Sequence, residues 1–172
     1  GFGLVTAWHV ICDAVSHDME SREIKVFSSD KTPLGKFIFN IGIVQENKRD
    51  AAILQDVPSE ILKNIPKLPS NINLPTKGEK ISAYQLHFSE SRLNFELHSG
   101  DLLRIEGPGE EGMLCYTNCS FRHGMSGGPV FNEAGQVVGI VHSATEQDKL
   151  GSFLPLKDCI SSTDVYGRWL LF

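Results

Sequence analysis

The stretch Gly124-Met125-Ser126-Gly127-Gly128-Pro129-Val130 decides how the rest of the chain is read. Three glycines crowd one serine, and a proline then opens an apolar strand. A nucleophilic serine needs its hydroxyl on a tight, exposed turn, with backbone N–H groups aimed where negative charge develops. Glycine serves both needs, because it enters dihedral regions closed to other residues and lets a substrate approach the backbone. The plain alternative is a glycine-rich β-turn that happens to hold a serine. Two further segments weigh against it.

The first is Leu4-Val5-Thr6-Ala7-Trp8-His9-Val10-Ile11, an apolar strand running into a turn that bears a histidine, with a short helix expected after it. His17, His87, His98, His123 and His142 are the other histidines, but the context of His9 sets a titratable imidazole at a strand end. The second is Arg49-Asp50-Ala51-Ala52-Ile53-Leu54, an aspartate immediately before an apolar strand. Elsewhere such an aspartate most often caps a turn.

Around these segments the chain is punctuated β-structure. Short runs rich in Val, Ile, Phe and Leu recur at Phe2–Ala7, Glu23–Ser28, Lys36–Val44, Ala51–Gln55, Lys80–Leu86, Leu93–His98, Asp101–Glu106, Met113–Thr117, Gln136–His142 and Ser152–Leu154. Gly, Pro, Asn, Asp and Ser separate them, as in a barrel or sandwich. A second helix is expected from about Leu156 to Leu170. Pro58, Pro66, Pro69 and Pro75 mark residues 57–76 as a long connection between sub-blocks 1–56 and 77–172.

Composition narrows the function classes. The chain has 172 residues, 41% hydrophobic and 22% charged, which suits one globular domain and argues against a disordered or disulfide-dense chain. A net charge of −5 gives no basic footprint for nucleic acid. No apolar run approaches the roughly 18 residues of a membrane span, and no signal-like segment is visible. Cys12, Cys115, Cys119 and Cys159 are scattered and expected as small buried thiols. Cys115 and Cys119, followed by His123, would line one helix face, but their surroundings read as strand, so no metal site is expected. The one glycosylation sequon, Asn118-Cys119-Ser120, lies just before the glycine-rich turn, where a glycan would block a site. An intracellular, reducing location is therefore expected.

Taken together, the three segments resemble the chymotrypsin-type (trypsin-like) serine proteases, in the order His, Asp, Ser particular to that fold. Thr6-Ala7-Trp8-His9 is similar to the family's Thr-Ala-Ala-His, Asp50-Ala51-Ala52-Ile53-Leu54 to its Asp-Ile-Ala-Leu-Leu, and Gly124-Met125-Ser126-Gly127-Gly128-Pro129 to its Gly-Asp-Ser-Gly-Gly-Pro. The pattern is closest to the HtrA-like branch. Glu23–Asp30 with Gly35-Lys36 resembles its strand, turn and returning strand, and residues 117–124 parallel its Thr-Asp-Ala-Ala-Ile-Asn-Pro-Gly without a gap. Asn132, Gly135, Val137, Gly139 and Ile140 continue the register, and no PDZ domain is expected.

The resemblance implies an all-β fold of two packed antiparallel β-barrels with a short C-terminal helix, and a serine endopeptidase acting on polypeptides. The first barrel, 1–56, would carry His9 and Asp50, and the second, 77–172, Ser126. Ser126 would be the nucleophile, His9 the general base and Asp50 its orienting partner. The N–H groups of Gly124 and Ser126 would form the oxyanion hole, at about 3–4 kcal/mol per donor. This chemistry implies no metal and no organic cofactor. A catalytically inactive protease-fold binding module is the competing reading.

Departures from the pattern carry information too. Met125 stands where digestive-type relatives have an aspartate that pairs with a new N-terminus, so no activation by N-terminal insertion is expected. Cys12 is three residues after His9 rather than one, so the family's disulfide there is not indicated. Ser120 falls at the base of the expected specificity pocket, with Phe121, Val141, His142, Ser143 and Ala144 around it. No acidic residue sits there, so a small or medium apolar P1 residue is expected. If a bulge shifts the strand register, His142 would instead enter the pocket and favour Glu or Gln. Arg122 and His123 near the mouth are expected to be solvated. His9 lies only eight residues from the start, so the first barrel is expected to lack its first strand. A larger polypeptide or a rearranged edge would complete it, with Gly1 an excision point or boundary.

Overall fold

A computed structural model describes residues 3–15, 21–27, 33–40, 50–54, 59–63, 69–89, 92–109, 112–145, 150–159 and 169–171. The second half closes on itself. Strands β5 (Lys80–Ser89), β6 (Arg92–Gly109), β7 (Gly112–Thr117), β8 (Pro129–Asn132), β9 (Val137–Thr145) and β10 (Leu150–Pro155) form a closed antiparallel barrel in the order β10-β7-β6-β5-β8-β9. Its interior is a cluster of buried residues that includes Ile81, Leu102, Cys115, Phe121, Met125, Val130, Val141 and Phe153.

The first half is simpler. β1 (Gly3–Thr6) leads into helix α1 (Trp8–Val15), and β2 (Ser21–Phe27) and β3 (Pro33–Asn40) pair as an antiparallel ribbon. β1 lies between β4 (Ala52–Leu54), antiparallel to it, and β11 (Trp169–Leu171), parallel to it. Among the described residues these strands form a three-stranded and a two-stranded sheet, not a closed six-stranded barrel. The connection includes a short helix, α2 (Ser59–Lys63), and its end is pinned to the barrel. There Asn71 N–H donates to Val137 O (2.8 Å) and Val137 N–H to Pro69 O (2.7 Å). Val5 of β1 packs with Val137, Ile140, Leu154 and Cys159 on the outside of the barrel, so apolar burial holds β1 against it.

Three expectations need correction. The two runs Leu93–His98 and Asp101–Glu106 are one strand, β6, whose first part pairs with β5 and whose second part pairs with β7. Gly100 does not turn the chain. It lets the 118–119 backbone press on the strand, since a Cβ there would collide with Cys119 N and Asn118 Oδ1. Of the helix expected to reach Leu170, the described residues include α3 (Leu156–Cys159), while Trp169-Leu170-Leu171 is extended because the edge of β1 offers it backbone partners. The strand placed at Lys36–Val44 begins earlier, at Pro33. Its last four residues, the Ser28–Asp30 turn and residues 160–168 lie outside the described residues.

Candidate active site

Asp50 is held at the N-terminus of α1, where the first N–H groups of a helix have no intrahelical acceptor. Trp8 N–H donates to Asp50 O (3.2 Å) and His9 N–H to Asp50 Oδ1 (2.7 Å). The same carboxylate takes a second bond from His9, with Nδ1 2.6 Å from Oδ2. A carboxylate can only accept, so the ring proton sits on Nδ1 and Nε2 is left as a base. Asp50 is largely buried while the His9 ring is 44% exposed, so the imidazole is anchored from behind and open in front.

The serine turn is fixed from both sides. Gly127 N–H donates to Val141 O and Val141 N–H to Gly128 O (both 2.9 Å), which ties the turn to β9. Gly127 has φ +77, and a Cβ on it would strike Thr6 Oγ1 and approach Ala7 N at 2.9 Å. Ser126 is thereby set beside the strand end that delivers His9. Upstream, Met125 N–H donates to Arg122 O (3.1 Å), Gly128 N–H donates to Met125 O (2.9 Å), and Gly124 has φ +87. The Met125 side chain is 1% exposed and packs into the barrel core. An apolar anchor therefore occupies the place of an ion pair. Among the described residues, no backbone carbonyl accepts the Gly124 N–H or the Ser126 N–H.

The expected pocket residues divide. Ser120, Arg122, His123 and Ala144 are exposed. Phe121 is buried and its ring lies on Gly151 of β10, where an added Cβ would meet the ring. Val141 points into the barrel core. A bulge does occur in β9, because Ser152 pairs with Ser143 while Phe153 pairs with Val141, leaving His142 as the extra residue. Its side chain goes to Asp50, with Nε2 3.4 Å from Oδ2, and its Nδ1 lies 3.1 Å from Ser152 Oγ. Ser143 Oγ lies 2.8 Å from the same Ser152 hydroxyl. Residue types alone set His142 at the substrate and carry no sign of its contact with Asp50 or of the part played by Ser152. A bulge in a strand leaves no signature in residue types.

Cys115 and Cys119 are free, both they and Cys159 are buried, and burial pushes the Cys115 thiol up to about 12 and the Cys119 thiol up to about 11. Among the described residues no three His, Cys, Asp or Glu side chains are grouped to hold a metal ion. No helix among them is long and apolar enough to cross a membrane.

The sequence profile of the Trypsin-like peptidase domain matches residues 2–140, a span that holds all three motifs. The chain belongs to the trypsin-like peptidase domain family. It is a serine endopeptidase of chymotrypsin-like, all-β fold. No curated protein is detectably similar in sequence. Solved structures share the fold. The active form of the Rv3671c protease from M. tuberculosis is 20% identical, with 90% of this chain and 64% of that chain covered and a TM-score of 0.59. The HtrA-type protease AlgW, in a mutant form with a decapeptide, is 17% identical, with 89% and 44% covered and a TM-score of 0.62. Deg5 is 17% identical, with 88% and 71% covered and a TM-score of 0.59. This trypsin-like domain thus spans less than half of the AlgW chain.

Proposed function

We propose that this peptidase cleaves polypeptides through Ser126, His9 and Asp50 and prefers a small or medium apolar P1 residue. The observation that carries the reading is the double hold of Asp50 on His9, through N–H and Nδ1, beside the Gly124–Gly128 turn. Ser126 Oγ attacks the scissile carbonyl carbon and its proton passes to His9 Nε2. The Gly124 and Ser126 N–H groups receive the oxyanion, and Asp50 balances the imidazolium. His9 then gives its proton to the leaving amine, and water attacks the acyl-enzyme by the same route.

The P1 assignment rests on Phe121 and Gly151. Phe121 is buried with its ring on Gly151, and residues 120–122 and 143–144 include no acidic side chain that would pair with a basic P1 residue, which supports this reading. The Glu or Gln alternative needed His142 in the pocket, and the side chain turned on Asp50 does not support it. A peptide library tests the assignment. The expected profile favours Ala, Val or Leu at P1, and Phe121→Ala should extend it to larger side chains. A dominant Glu or Gln preference would contradict the pocket.

A further inference from the structure

A polar chain runs from Ser143 through Ser152 to His142 and ends on the Asp50 carboxylate, and the hydrolytic steps make no use of it. Its chemistry is self-consistent. If Ser143 donates to Ser152 Oγ and Ser152 donates to His142 Nδ1, the His142 proton is fixed on Nε2, facing Asp50 Oδ2. Two imidazoles then address one carboxylate oxygen, His9 at 2.6 Å and His142 at 3.4 Å. Their rings stand edge to face, at 6.3 Å and 88°. Asp50, from the turn before β4, and His9, from α1, are titratable groups that face His142. β10 contributes the Ser152 hydroxyl. At 3.4 Å the His142 contact is longer than an ordinary hydrogen bond, so it steers the carboxylate rather than gripping it.

We propose that His142 is a positioning residue: carried to Asp50 by the β9 bulge and held in one tautomer by Ser152 and Ser143, it orients the carboxylate that orients His9. This rests on the assignment of His9 and Asp50 to the triad. His142→Leu keeps bulk but removes the donor, whereas Gln can place an amide N–H where Nε2 was. His142→Leu should lower kcat on the order of 10-fold, less than the ~100-fold that a misplacement of about 1 Å can cost, with KM nearly unchanged. His142→Gln should restore most of that loss. A readout free of turnover is the low-field NMR signal of the His9 Nδ1 proton in the Ser126→Ala protein. It should persist with His142→Gln and move or vanish with His142→Leu. An unchanged kcat and an unchanged proton signal in the folded His142→Leu proteins would overturn the proposal. So would a change confined to KM, which would return His142 to the substrate pocket. If the triad assignment itself is wrong, the wild-type protein shows no Ser126-dependent turnover, and the proton signal still decides the contact.

Discussion

A single methyl group at Gly127 would meet Thr6 Oγ1 and the Ala7 backbone, and the residue's φ of +77 already disfavours any side chain. Gly127→Ala should therefore cost at least about 1–3 kcal/mol in urea unfolding and slow the reaction of Ser126 with an active-site probe. Wild-type probe reactivity in that variant would mean the contact does not align the serine with His9. Asp50 has the opposite character, tolerant in shape and strict in chemistry. Asp50→Asn should fold normally yet lower kcat by roughly 10⁴, because the amide no longer fixes the Nδ1 proton. A loss below tenfold would remove Asp50 from the triad. The motifs around these residues were legible because the chemistry dictates residue type at close spacing. The contact of His142 was not, because it depends on one unpaired residue in β9.

Among the elements, the serine turn shows what replaces a charged anchor. Met125 is buried in the same cluster as Phe121 and Val141, and its sulfur also accepts the Arg122 N–H at 3.1 Å. Met125→Leu should cost less than about 1.5 kcal/mol, since volume is nearly kept and only a weak sulfur acceptor is lost. Met125→Asp would bury a carboxylate, at a cost of about 3–5 kcal/mol where it lacks a partner, and should disorder the oxyanion turn. Thermal melting and probe labelling of the two variants check this. Equal stability of both would show that the turn is not anchored through this side chain. Strand runs of the barrel were readable because apolar residues cluster between turn residues. β6 was split in the reading because Ser99-Gly100 has turn composition, while the structure uses Gly100 for close backbone approach. The extended Trp169–Leu171 was hidden for a related reason: pairing with β1 is a long-range event that local composition does not encode.

For the whole molecule, the second barrel is a closed apolar core, and its thiols report on it. The Cys115 and Cys119 protons are held well above the ordinary thiol value of 9.0, in both cases by burial. Unfolded chains release those protons first as pH rises, so this contribution to stability is complete below about pH 9 and lost as pH climbs through about 11–12. Urea midpoints should fall across that window, and a thiol reagent at about pH 8 should spare both cysteines until the protein unfolds. Rapid labelling of the folded protein would mean that the core is open. In the proposed triad, two distant segments meet, β1 with α1 presenting His9 on Asp50 and the turn before β8 presenting Ser126. The most direct test of that arrangement is labelling by a fluorophosphonate, with the modified residue located by mass spectrometry. A single adduct on Ser126 is expected, absent in Ser126→Ala and strongly slowed in His9→Ala. A folded wild-type protein that stays unlabelled, or an adduct on another residue, would contradict it.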